Sequence, residues 1–493
     1  MNKLLFSFLV GIAIIIPTQA QTLTKTQLQS EQMRWEAHFH DISGTGSDED
    51  NYYFVFSIHS LMLRNEKNFF ILNKDFSRME SYPVVAGKDE KYLTSMLTSD
   101  HLLIFLTRFE KKLKQRVIIK QTYSKTNGNL IKQDIIGGVP AKSKNHLWNF
   151  HSSLSPDSSK LGIVFMITNH LGIADNYLAI ILDEEGEIVW KALQNFYGSN
   201  KKLSFRDLSV NNTDKLYLVF NAYPDKKSPD KSHYIDLIIL SEGERSKSSV
   251  RLSEYTNVDL NVKVLKNQDI FIAGLLMKEG SEKPTSIASI LVDAKDLDVK
   301  ETFIEDFVPN PALRDDYGME IIEIAELDNN DIVILCEQNF TRIYQTNYYT
   351  TYTRFRGTVM TVFVSPDASI SDISFMEKVY ANQAIRPISA KEMNLSITPF
   401  VHGNKIGYLF NKLLVESKKN KDKDKVFMFD NDGTNAKIAM SMQSNGNEEE
   451  IIDLSGTAAA NRLFRELLFV EKDKLIILTQ TTKTSYIEVI TFE

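Results

Sequence analysis

Short apolar runs recur eight times along the chain, starting at Tyr52, Leu102, Leu161, Leu216, Ile270, Ile332, Ile406 and Leu475. A small polar turn stands before each: Asp50-Asn51, Asp100-His101, Ser159-Lys160, Asp214-Lys215, Gln268-Asp269, Asn330-Asp331, Asn404-Lys405 and Asp473-Lys474. A spacing of roughly 50 to 74 residues marks a repeat architecture. A strand-like segment precedes each run, as in Leu154-Ser155-Pro156-Asp157, Leu208-Ser209-Val210 and Val262-Lys263-Val264-Leu265. A strand rich in β-branched and aromatic residues follows each, such as Phe69 to Leu72, Tyr177 to Leu182, Ile287 to Val292 and Tyr486 to Ile490. Hairpin turns come next at Asn127-Gly128-Asn129, Glu185-Gly186 and Asn431-Asp432-Gly433, where positive φ is tolerated. A fourth, more polar strand then appears, as in Glu187-Ile188-Val189-Trp190 and Ser249-Val250-Arg251-Leu252.

The unit is therefore four antiparallel strands, the second apolar on both faces and central. The short runs and flanking turns favour strand over buried helix. Asn461 to Phe469 is read as a loop followed by strand. Four-stranded units repeated radially make an all-β propeller of eight blades, or seven if the first unit is irregular. The eighth unit has only three strands before Glu493, so an N-terminal strand is expected to complete it. Thr22 to Gln29 or Met33 to Phe39 would serve.

The N-terminus changes the setting. Lys3, the apolar stretch Leu4 to Ile16 and Pro17-Thr18-Gln19-Ala20 have the layout of a signal peptide over residues 1–20, with cleavage after Ala20. The stretch is too short for a membrane span of about 20 residues, and no other segment reads as one. An exported protein, periplasmic or extracellular, is expected, with a single propeller over residues 21–493. The lone Cys336 ends an apolar run and reads as a buried, inert thiol. A net charge of -7 without a basic excess argues against a nucleic-acid partner.

Two local stretches carry a resemblance. Leu154-Ser155-Pro156-Asp157-Ser158-Ser159-Lys160-Leu161 resembles the strand-turn-strand of TolB-like and peptidase-associated propellers. Leu182-Asp183-Glu184-Glu185-Gly186-Glu187-Ile188-Val189-Trp190 looks like the docking segment of quinoprotein-like repeats. Both lie in one blade, and the others depart from both patterns. Glu337-Gln338 followed by the Tyr/Thr-rich stretch Tyr344 to Phe355 is similar to a group of uncharacterised secreted bacterial propeller proteins. That resemblance implies the propeller fold and export, and no particular activity.

The hairpin Phe340 to Arg356 is the most unusual segment in composition. Tyr344, Tyr348, Tyr349, Tyr352, Arg354 and Arg356 are the candidate ligand-binding residues, because Tyr and Arg favour recognition surfaces. The alternative is an extended hairpin whose side chains pair across strands. Lys418 to Lys425 and Asp225 to Lys231 occupy the matching loops of blades seven and four and read as solvated. His38 and His40 point to one side of a strand, a spacing that suits a metal, but no third ligand accompanies them. Asp430-Asn431-Asp432-Gly433 lacks the spacing and the glutamate of a calcium loop. No cofactor or metal is expected, and no catalytic residue is assigned. G-x-S-x-G and H-E-x-x-H motifs are absent, and three Trp cannot supply a tryptophan motif to every blade.

The expected function is non-catalytic binding of a protein or glycan through one rim, by a monomer or a component of an envelope complex. An enzyme acting on polysaccharide or peptide in the channel is the alternative. It would show inward carboxylates or histidines with shifted pKa values. A structural role in an envelope assembly is the third.

Overall fold

The structure is a computed structural model. It describes residues 23–29, 38–60, 63–87, 89–168, 174–195, 201–224, 233–252, 254–307, 313, 318–345, 350–378, 380–384, 396–413, 427–428, 436–445, 450–453, 463–471, 473–480 and 485–492. These form eight sheets built on four antiparallel strands each; in blade six Tyr380–Ala384 and, in parallel, Phe427–Met428 extend the sheet to six, and no helix occurs among the described residues. Within blades one to seven the four blade strands are hydrogen-bonded in chain order, from a first strand to a fourth.

The ring is visible in the packing. Eight hydrophobic cores lie between successive blades, one per interface. This explains why the second strand is apolar on both faces. In Asn51–Ser60, Tyr52 and Phe54 pack toward blade eight, while Tyr53 and Val55 pack toward blade two. Period-two alternation sends neighbouring side chains to opposite interfaces, so both sets must be apolar. First strands of blades one and eight touch, which closes the circle.

Leu23–Gln29 pairs with Ser485–Phe492 and supplies the fourth strand of blade eight. Eight blades, closed by the N-terminal strand, is thus the observed architecture. The other segment considered for closure ends in blade one: His38 opens its first strand, His38–Ser47. In blade three the first strand is Leu147–Leu154, so Ser155-Pro156-Asp157 belongs to the turn rather than to the strand. That turn places Ser158 at φ 60°, and Asp214, Gln268, Asn330 and Gly403 are also at positive φ in the matching turns. Trp190 is buried and donates its Nε1–H to the Asp214 carbonyl at 2.8 Å, docking blade three on blade four.

Antiparallel order fixes what each rim carries. First-to-second and third-to-fourth turns share one end of the ring. Second-to-third loops and the connections between blades share the other. The hairpin ends of the strands Ile332–Gln345 and Thr350–Val364, and the second-strand ends at Pro224 and Leu413, lie at this second rim.

Candidate functional site

First strands line the axis, and their inner edges have no strand partner. Side chains of the preceding blade meet part of this need. Val262 N–H donates to Asp207 Oδ2, Val264 N–H to Ser209 Oγ and Ile321 N–H to Asp259 Oδ2, each at 2.9 Å. Thr45 and Ser95 hydroxyls meet at 2.7 Å between blades one and two. The register reveals a rule. The first-strand residue opposite the fourth position of each apolar run is Ser43, Thr94, His151, Asp207, Asn261, Glu323, Thr398 or Glu466. All eight are polar. A polar side chain here can bond a neighbouring backbone edge while touching channel water.

At the turn-bearing mouth, blades three to seven enclose a cavity of about 470 Å³ that includes Asp207, Lys263, Glu323 and Glu326. Burial pushes Asp207 up to about 6, against the lowering effect of the Val262 N–H. Burial also raises Asp259, offset by the Ile321 N–H, and raises Glu323, offset by Lys263. Lys263 donates to the Ile324 carbonyl at 2.7 Å and stands 3.7 Å from Glu323. Glu323 keeps 46 % of its side chain open, yet protein surrounds it on the channel wall. Asp207 and Asp259 are committed to the next blade. Glu323 combines a carboxyl raised by burial with a side chain that stays partly open to the channel.

The other rim carries the residues singled out from sequence. Ile332–Gln345 and Thr350–Val364 continue past the blade as an extended hairpin, pairing Thr341 with Arg354 and Tyr344 with Thr351. Tyr380–Ala384 pairs alongside at Tyr352 to Arg356. Tyr344 and Tyr352 lie on this ladder, with side chains outside the described set; Tyr348 and Tyr349 lie outside the described residues altogether. Arg354 donates to Thr341 Oγ1 at 2.8 Å. Arg356 binds Glu320 and stands 3.3 Å from Glu337. Glu337 also receives the Lys378 ammonium, and these two side chains are 0 % and 1 % exposed. Both arginines therefore brace the hairpin base, and the Glu337-Gln338 motif anchors a buried charge cluster at a bulge in the ladder.

On the same rim, between blades one, two and three, opens a cavity of about 1600 Å³ that sequence reasoning missed. Its walls are the connections over residues 83–87, 89–91 and 144–148 and the hairpin end of blade two. Lys67, Lys91, Lys111, Arg116 and Lys144 line it, with Asp89 and Glu90 as carboxylates. Lys67 sits over the Tyr92 ring at 4.3 Å and Arg116 over Trp148 at 5.5 Å. Glu90 takes Arg108 at 2.8 Å.

His38 and His40 fall on the first strand of blade one, with side chains outside the described set. Lys418 to Lys425, Asp225 to Lys231 and Asp430 to Gly433 lie outside the described residues. No group of three potential metal ligands occurs among the described residues, and no helix there is long and apolar enough to cross a membrane. Cys336 is buried between blades five and six, where burial pushes its thiol well up.

No family model and no curated protein matches the chain. Among solved structures it is similar to the β-propeller domain of the Trilobed protease from Pyrococcus furiosus, at 13% identity over 85% of this chain and 96% of that one, TM-score 0.39. The Dos1 propeller matches at 9% identity over 95% and 93%, TM-score 0.44. The WD40 domain of SCAP from fission yeast matches at 10% over 96% and 98%, TM-score 0.36. Similarity at this level reaches no further than the propeller architecture, which the chain's own eight sheets define.

Proposed function

We propose that this chain is an exported, non-catalytic propeller that binds a protein or glycan through the rim bearing its second-to-third loops. The observation that carries the reading is the cavity of about 1600 Å³ on that rim, lined by cations and aromatic rings. The Tyr-rich hairpin of blade six rises from the same rim, so Tyr344, Tyr348, Tyr349 and Tyr352 belong to the proposed face. Lys3, Leu4 to Ile16 and Pro17 to Ala20 support export to the periplasm or the exterior.

The test is capture of envelope proteins and glycans on the full mature chain. One variant changes Tyr344, Tyr348, Tyr349 and Tyr352 to Ala, and a second changes Lys91, Lys111 and Lys144 to Glu. A control variant carries Asp100→Lys, Glu184→Lys and Lys295→Glu on the opposite rim. Loss of specific ligands with either rim variant, and retention with the control, is expected. The reverse pattern would overturn the reading.

A second reading has one observation in its favour. Glu323, raised by burial and open to the channel beside Lys263, has the features of a general acid for bond cleavage in a channel-bound polymer. Slow cleavage of a polysaccharide or peptide by the wild type, abolished by Glu323→Gln, would establish it.

A further inference from the structure

We infer that the cavity between blades one, two and three holds a segment of acidic polysaccharide, recognised through carboxylated or sulfated sugars. This rests on the rim-binding reading and names its ligand.

Charge sets the sign. The chain carries a net -7, yet five cations and two carboxylates line this cavity. Glu90 is already engaged by Arg108. Arg116 is the decisive group. It is 4 % exposed, and one guanidinium NH2 donates to the Lys144 carbonyl at 2.7 Å. Its Nε has no partner, and no carboxylate pairs with it among the described residues. A buried cation without an anion is costly. The Trp148 face offsets part of that cost, and a bound anion would supply the missing charge. The planar guanidinium fits carboxylate or sulfate oxygens in pairs.

Shape and texture set the class. A volume of about 1600 Å³ exceeds the ~300–1,000 Å³ of small-molecule pockets, so it suits a polymer segment. The partly exposed rings of Phe109 and Trp148 give flat apolar surface between the charges, matching the C–H faces of sugar rings alternating with acidic groups. An acidic peptide would draw on a free strand edge for main-chain hydrogen bonds. The edge-strand residues on this cavity, Pro83 of a fourth strand and Lys91, Tyr92, Leu147 and Trp148 of two first strands, all sit at strand ends and offer no run of edge to a peptide.

The test is calorimetric titration of the full chain with oligogalacturonate, a sulfated oligosaccharide, a neutral glucan and poly-glutamate, at low and at about 0.5 M salt. At least one acidic glycan should bind about tenfold tighter than the neutral glucan and poly-glutamate, and salt should weaken it. Lys91→Glu, Lys111→Glu and Lys144→Glu together should weaken binding at least about tenfold without altering the melting curve, because all three side chains are exposed. Trp148→Phe should weaken it less and leave the salt dependence unchanged. Failure of both acidic glycans, or equal binding by neutral glucan, overturns the inference. Tight binding of poly-glutamate, lost in the triple variant, overturns the glycan and leaves the rim as the binding face. Glycan binding insensitive to both the triple variant and the hairpin tyrosine variant removes the rim reading as well.

Discussion

Asp207 of blade four accepts the backbone N–H of Val262 in blade five at 2.9 Å, through a carboxylate that burial pushes up to about 6. The same side chain thus joins two blades and resists ionisation on the channel wall.

This gives stability a pH dependence of defined sign. The unfolded chain releases the Asp207 proton near pH ~3.9, whereas the folded chain keeps it to about 6. Between those values the folded state binds more protons, so stability falls as pH rises. The full penalty is reached above the folded pKa. It is at most about 3 kcal/mol, from about 1.4 kcal/mol per pKa unit, and channel water reduces it. Asp259 shifts in the same direction. Asp207→Asn keeps an oxygen for Val262 but cannot ionise. From about pH 4 to pH 7 the wild type should lose melting temperature relative to the variant. Parallel curves at matched scan rate would refute the linkage.

Blade six contains a charge cluster built on one buried carboxylate. Lys378 and Glu337 are fully enclosed, and Arg356 joins them from the hairpin base. Burial pulls the Lys378 ammonium down while Glu337 holds it up. Glu337→Ala removes the buried carboxylate that Lys378 and Arg356 both contact and should cost about 3–5 kcal/mol. Glu337→Gln combined with Lys378→Met should cost less than the single change, because the buried ammonium is gone as well. Urea denaturation of the variants decides this. A double variant weaker than Glu337→Ala would show that the ion pair itself is the stabilising element.

Cys336 provides a local reporter. Its thiol lies in the core between blades five and six, and burial disfavours the reactive thiolate. Labelling by a disulfide reagent in native buffer should be at least about a thousandfold slower than in denaturant. Fast labelling would mean that these two blades part locally without global unfolding.

The central strands were legible because burial on both faces leaves an uninterrupted apolar run, as in Ile270 to Leu276. The polar ring was not. His151, Asp207 and Glu323 match only once strands are aligned through their partners, and bulges at Arg206 and Ile322 break the spacing in the chain. Composition did single out the hairpin of blade six, but Arg354 and Arg356 turn toward their own blade, which strand alternation alone does not reveal. The cavity of blades one to three was invisible for a different reason. Lys67, Arg116 and Trp148 come from three blades, and no local pattern records that connections bring them together.

Closure of the ring can be tested at blade eight, where a strand over residues 23–29 joins strands over residues 463–492. Leu23–Gln29 covers Ser485–Phe492 along its length, with Thr26 opposite Val489 and Gln27 opposite Glu488. In an antiparallel edge strand alternate N–H groups face the partner, so one of two consecutive residues must donate to the ladder. Thr26→Pro combined with Gln27→Pro therefore removes a ladder bond whichever residue provides it, and proline also disfavours the local strand geometry. The third strand of blade eight would then become an open edge beside Leu475 to Leu478, whose apolar side chains are fully buried. A loss of about 3 kcal/mol or more and concentration-dependent association in size-exclusion chromatography are expected. Both substitutions placed instead at Glu244 and Arg245, in the outer strand Glu244–Leu252 of blade four, should cost less, because that blade is held within one continuous segment. Equal losses at the two sites would mean that the N-terminal strand contributes no more than any other edge.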